Sequence, residues 1–135
     1  MDRKILFRGK HIDNGEWVYG FLTCMNYIDV WTEKVCYDGQ EELNYCEVEH
    51  CQVDKNTVGQ FTGLCDKNGN KIFEGDIVKV TTGLEGYKST YHSAIHRVTY
   101  DVHNCGVAVF YPFDNSDMVE AEVIGNIYDN PELWR

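Results

Sequence analysis

Cys46, His50 and Cys51 fall close together with Cys36 upstream, and thiols and imidazoles are the side chains that hold transition metals. Structural zinc sites usually pair their ligands as C-x2-C or H-x3-H, because a tight turn then aims two ligands at one ion. Four residues separate Cys46 from Cys51 and no second paired motif accompanies them. His92 and His96 have H-x3-H spacing, but the β-type sequence around them places both on one face of a strand, leading to Val98 and Tyr100. No metal is expected. Asp66-Lys67-Asn68-Gly69-Asn70 departs from a calcium loop, which wants Gly at position 6 and Glu at position 12; here Gly69 is fourth and Ile77 twelfth. Glu74-Gly75-Asp76 brings two carboxylates together, the raw material of acid–base chemistry. In that step Gly75 better serves an unusual φ or a bulge, and Asp76 better serves local backbone N–H groups. Cys105 beside His103 lacks a third group to orient the base. No catalytic set, cofactor site or metal site emerges, and a non-enzymatic protein is expected.

Aromatic side chains offer a different function. Nine Tyr, three Trp and six Phe exceed what a chain of 135 residues hides easily, and Tyr and Trp serve as amphipathic anchors at interfaces. Tyr87, Tyr91, Tyr111 and Phe113, which flank an expected loop and a strand end, are the candidate interface residues. The competing reading is that they cover the open ends of a barrel.

The formal net charge is −10. Residues 29–54 carry eight acids and one lysine, and residues 114–132 six acids and no base. A protein that grips phosphates presents Lys and Arg to replace condensed counterions, so nucleic acid is an unfavoured partner unless Arg3, Lys4, Arg8 and Lys10 gather on one face. Solubility alone accounts for such an acidic surface as well. No run approaches the ~20 apolar residues of a membrane-spanning helix, and the opening residues lack an export signal's apolar core. A cytoplasmic location with six free cysteines is expected.

The elements that must position these residues are strands. Ile5, Phe7 and Gly9 alternate with Leu6, Arg8 and Lys10; Trp17, Tyr19 and Phe21 share a face in a second run, with Asp13-Asn14-Gly15 between them as a type I′ hairpin signal. Between 24 and 55 the pattern is weaker. Ile28, Val30, Trp31, Val35 and Tyr37 suit a strand, Asp38-Gly39 a turn, Glu41 to Tyr45 a helical turn, and Val48 and Val53 strand again. Asn68-Gly69 predicts a two-residue type I′ hairpin turn, which needs φ > 0 at both positions. Strands follow over 77–81, 94–102, 107–111 and 119–128, with a glycine-bearing loop at 83–90 and a short helix opened by Pro131. Closely spaced short strands indicate an all-β barrel or sandwich.

The runs Thr57 to Leu64, Asp66 to Gly69 and Ile72 to Val78 resemble the central motif of the YopX-like proteins of phages and prophages. Lys4 to Arg8, Val18-Tyr19-Gly20, Val123 to Tyr128 and Asn130 to Leu133 resemble the two ends of that family. Nearly the whole chain is covered, with 33–52 the loosest part. The resemblance implies an SH3-like barrel in the C-terminal part and a phage or prophage origin, and it brings no catalytic residues. The expected architecture is therefore mainly β: an N-terminal β-hairpin region over 1–55, an SH3-like barrel over 56–135, the two packed as one unit, and one or two short helices. The expected function is a small accessory protein that binds an unidentified protein, or itself as a homo-oligomer. The alternative is a nucleic-acid-associated regulator.

Overall fold

A computed structural model describes residues 6–39, 41–102, 108–113 and 117–134. Among these residues the chain is mainly β, with eleven strands and three single 3-10 turns at Lys55–Thr57, Lys88–Thr90 and Pro131–Trp134. The helix expected at Pro131 is one such turn, and the helical turn expected at Glu41 to Tyr45 is strand. The chain divides into two compact units that meet in sequence between Val58 and Gly59.

The first unit contains β1 (Phe7–Lys10), β2 (Trp17–Cys24), β3 (Tyr27–Asp38) and β4 (Glu41–Gln52), side by side in the order β4-β3-β2-β1 and antiparallel throughout. Ile28, Cys51 and Val53 are its buried apolar side chains, and Arg8, Asp29 and Thr57 are buried with them. Gly9 lies over two of them: a Cβ there would come within 2.9 Å of Val53 and 3.3 Å of Ile28. On β1, Arg8 and Lys10 place their cations over the Trp17 ring, 4.4 and 5.4 Å from its centroid.

The second unit begins with the hairpin of β5 (Gly59–Cys65) and β6 (Lys71–Phe73). Next, β7 (Asp76–Thr82) lies between β8 (His92–Arg97) and β11 (Met118–Asn126), while β9 (Thr99–Val102) pairs with β10 (Ala108–Tyr111). Ile72, Val78, Val80, Val98 and Ala121 form its core, with Phe110, Phe113, Met118 and Val123 packed against it. Val78 and Val80 share the inward face of β7 by period two. Ile77, on the other face, is buried as well, and Lys79 is exposed. Pairings among the described residues form several open antiparallel sheets; none closes on itself, and SH3-like closure rests on the family resemblance alone.

The turns differ from the sequence expectation. Among the described residues only glycines have positive φ, so neither Asn14 nor Asn68 takes the left-handed conformation that a type I′ turn needs. At 66–70 the Asp66 N–H donates to the Asn70 carbonyl (2.8 Å) and the Gly69 N–H to the Asp66 carbonyl (3.0 Å). That is a three-residue loop ending in a left-handed glycine, at φ 84°. The Asp66 side chain selects it, because Oδ1 accepts from both Asn68 and Asn70 N–H groups, 2.9 Å each. A Cβ on Gly69 would meet nothing within 4 Å, so only backbone conformation restricts the position. Gly69→Val should therefore cost about 1–2 kcal/mol, while Gly69→Asn, which tolerates the left-handed region, should cost markedly less. Urea unfolding of the two variants checks this; equal losses would mean that conformation is not the cause.

Candidate functional site

Strand β3 and strand β4 each run 12 residues in unbroken register, from Tyr27 opposite Gln52 to Asp38 opposite Glu41. At about 3.4 Å per residue the pair is about 40 Å long. Strand β2 pairs only with its base, through Phe21–Asp29, Leu22–Ile28 and Cys24–Tyr27. Beyond that, 30–38 and 41–49 pair only with each other among the described residues, as a two-stranded arm whose described side chains are nearly all exposed. The sequence explains its length, since neither strand contains Gly or Pro and Asp38-Gly39 supplies the reversal.

Directly paired residues share a face. One face of the arm therefore carries Trp31 with Val48, Glu33 with Cys46, Val35 with Asn44 and Tyr37 with Glu42. Phe21, opposite Asp29, extends this row, and its ring meets that of Trp31 edge-on at 6.4 Å. Trp31 is 56% exposed, Val35 53% and Tyr37 73%. A two-stranded ribbon is marginal in water, and a row of exposed rings and branched side chains has the composition of an interface rather than of a solvated surface. From Tyr27 to Gln52 the arm carries seven carboxylate residues against the single cation of Lys34.

At the base of the arm, the Cys and His residues that suggested a metal do not converge. His50 and Cys51 are neighbours on β4 and face opposite ways. His50 instead bonds through Nδ1 to Oδ1 of the buried Asp29. Burial first, then the Glu49 carboxylate and its hydrogen bond, then Asp29, push the Cys51 thiol above its ordinary value; it stays protonated, which suits neither a ligand nor a nucleophile. Cys36 and Cys46 stand on opposite faces, opposite Leu43 and Glu33 respectively. Among the described residues no three His, Cys, Asp or Glu side chains are grouped to hold an ion.

In the second unit, His92 and His96 do share a face of β8. His96 makes a 3.2 Å contact from Nδ1 to the Tyr111 hydroxyl, and its ring lies edge-on to the tyrosine. Asp76 is buried, with Oδ2 accepting the Phe73 N–H at 2.7 Å, and Gly75 before it has φ 92°; both are structural roles. His103 and Cys105 lie outside the described residues, as do Arg3 and Lys4.

The four aromatic candidates separate. Tyr87 is exposed; Tyr91 is half-buried, its hydroxyl accepting the Gly86 N–H at 3.1 Å within the 83–91 loop. Tyr111 sits on His96, and Phe113 is half-buried against the core, lining a cavity of about 260 Å³ with Leu64, Ile72 and Met118. The alternation of Tyr27, Trp31, Val35 and Tyr37 with Asp29 and Glu33 on one parity was the signal for the arm's row.

The geometry thus defines a mainly β protein of two sheet-built units, one of which extends a long exposed hairpin with an apolar row and an acidic character. Residues 6–135 match the YopX protein family, and the chain belongs to it. The crystal structure of protein EF1440 from Enterococcus faecalis is similar in fold: 24% identity over 99% of this chain and 100% of that one, with a TM-score of 0.57. Comparison with curated proteins finds no match. No helix among the described residues is long and apolar enough to cross a membrane.

Proposed function

We propose that this is a phage or prophage accessory protein without chemistry of its own, acting in the cytoplasm of the bacterial host by binding another protein through the β3–β4 arm. The observation that carries the reading is the exposed row Trp31, Val48, Val35 and Tyr37, continued by Phe21 on β2, on a hairpin that no further strand among the described residues supports beyond its base. A partner that covers this row removes apolar area from water and supports a ribbon that is marginal alone. A nucleic-acid-associated regulator would need cations gathered on an open face. Arg8 is buried and leans with Lys10 on Trp17, and the arm repels phosphate. No shift of duplex DNA is expected at low salt.

The test is affinity capture from lysogenic host cells with the whole chain and with the triple variant Trp31→Ser, Val35→Thr, Tyr37→Ser. Each site is exposed, so each substitution should change stability by no more than about 0.5 kcal/mol, while the captured partner should be lost. A variant that folds and captures the same proteins as the parent overturns the reading.

A further inference from the structure

Strand β4 stands at the outer end of the order β4-β3-β2-β1, so among the described residues its far edge pairs with no strand. In an antiparallel ladder half of an edge strand's N–H and C=O groups point away from its only neighbour. Most natural edges are blunted by shortness, a bulge, Pro or an outward Lys. This one is 12 residues long, in unbroken register with β3, and contains none of these residues. Its sole protection is charge: Glu41, Glu47 and Glu49 lie on one face with Leu43 and Tyr45, while Val48 and Cys46 lie on the other, beside Trp31.

We propose that the arm binds its partner by strand addition to the β4 edge, and that the added segment is an extended strand of a protein with Lys or Arg on one face and apolar side chains on the other. This rests on the reading of the arm as a protein-binding element. The cations come to lie beside Glu41, Glu47 and Glu49, at the cross-strand separation where opposite charges attract. The apolar side chains continue the row of Val48 and Trp31 across the new strand, and the backbone supplies the outward N–H and C=O groups with partners. A second copy of β4 fits this edge poorly. At the ~4.8 Å strand spacing, two β4 strands, each with the four carboxylates Glu41, Glu42, Glu47 and Glu49 and no Lys or Arg, would face each other inside the ~8–10 Å screening length of physiological salt. The carboxylates thus exclude self-pairing while admitting a basic strand.

The probe is a labelled, capped nine-residue peptide in which Lys and Val alternate, titrated into the whole chain and read by fluorescence anisotropy. The peptide is expected to bind. A peptide of the same composition without the alternation should bind at least tenfold more weakly, and so should the parent peptide to the variant Glu47→Lys, Glu49→Lys. Of two copies N-methylated at alternate residues, one in each phase, one should lose binding at least tenfold and the other should keep it, because one edge faces β4. No binding, or equal binding of the methylated and shuffled peptides, overturns strand addition. So does sedimentation showing a dimer cross-linked between two β4 strands. If the peptide fails while the triple variant still loses its captured partner, strand addition falls and the arm remains the binding element. If that variant keeps its partner, the functional reading itself falls.

Discussion

Asp66→Ala should destabilise the second unit by about 3 kcal/mol, a factor of roughly a hundred in the folding equilibrium. Asp66 is buried, and its carboxylate is a junction rather than a surface charge. Oδ1 accepts the Asn68 and Asn70 N–H groups, and Oδ2 accepts the Val123 N–H at 2.9 Å, from β11. One side chain therefore shapes the β5–β6 loop and fastens it to a strand 57 residues away. The adjoining backbone bond from the Lys67 N–H to the Ala121 carbonyl (3.0 Å) depends on the same alignment. Alanine leaves three backbone N–H donors without their acceptor; water reaches those of the exposed Asn68 and Asn70 more easily than that of half-buried Val123. Desolvation acts to raise the Asp66 pKa, but the N–H groups of Val123, Asn70 and Asn68 outweigh it and hold it below the ordinary carboxylate value. The sign follows: with the folded value depressed, the contribution is fully present above the unfolded value of about 3.9 and is lost as pH falls through the folded value. The stability gap between the parent and Asp66→Asn should thus be constant above about pH 5 and narrow steadily in more acid solution. Urea unfolding across that range measures it, and a gap independent of pH would remove the carboxylate's charge from the account.

How far these features could be read in advance depended on how local their causes are. The β7 strand was legible because Val78 and Val80 meet one core at period two, and Asp66-Lys67-Asn68-Gly69 was legible as a reversal from its residue types alone. The turn's actual form was not, since it depends on the Asp66 side chain binding its own loop as well as on the left-handed glycine at 69. The Val123 bond was invisible, because nothing local to either residue names the other. The arm was the least legible element. Period two marks a strand when one face is buried, but both faces of 30–38 and 41–49 are open, so apolar and acidic residues mix along each strand. The tyrosine count predicted that rings would reach the surface, and they do; composition could not show that the extended row lies at Trp31, Val35 and Tyr37 and not around Tyr87 and Tyr111.

Gly20→Ala should release the arm from its base and cost about 3 kcal/mol in the first unit. Gly20 lies on β2 in ordinary extended backbone, so no conformational preference requires glycine there. Space does: a Cβ would lie 2.2 Å from the Asp29 carbonyl oxygen, 2.9 Å from its carbon and 3.1 Å from Ile28 Cγ2. Two of those atoms are backbone, which cannot swing aside as a side chain can, so β2 and β3 must move apart. That separation strikes where the arm is held, since Phe21–Asp29, Leu22–Ile28 and Cys24–Tyr27 are the β2–β3 pairs. It also disturbs Ile28, the fully buried centre of this unit, and the Asp29 side chain that His50 bonds. Gly15→Asn is the matched control, because Gly15 has φ 71° with nothing within 4 Å of its would-be Cβ, and asparagine tolerates that conformation. Hydrogen exchange should show Gly20→Ala accelerating the amides of β2 and of 27–31, with partner capture falling in step, while Gly15→Asn leaves both unchanged. Protection of β3 undiminished in Gly20→Ala would mean that the base of the arm is not held by this close approach.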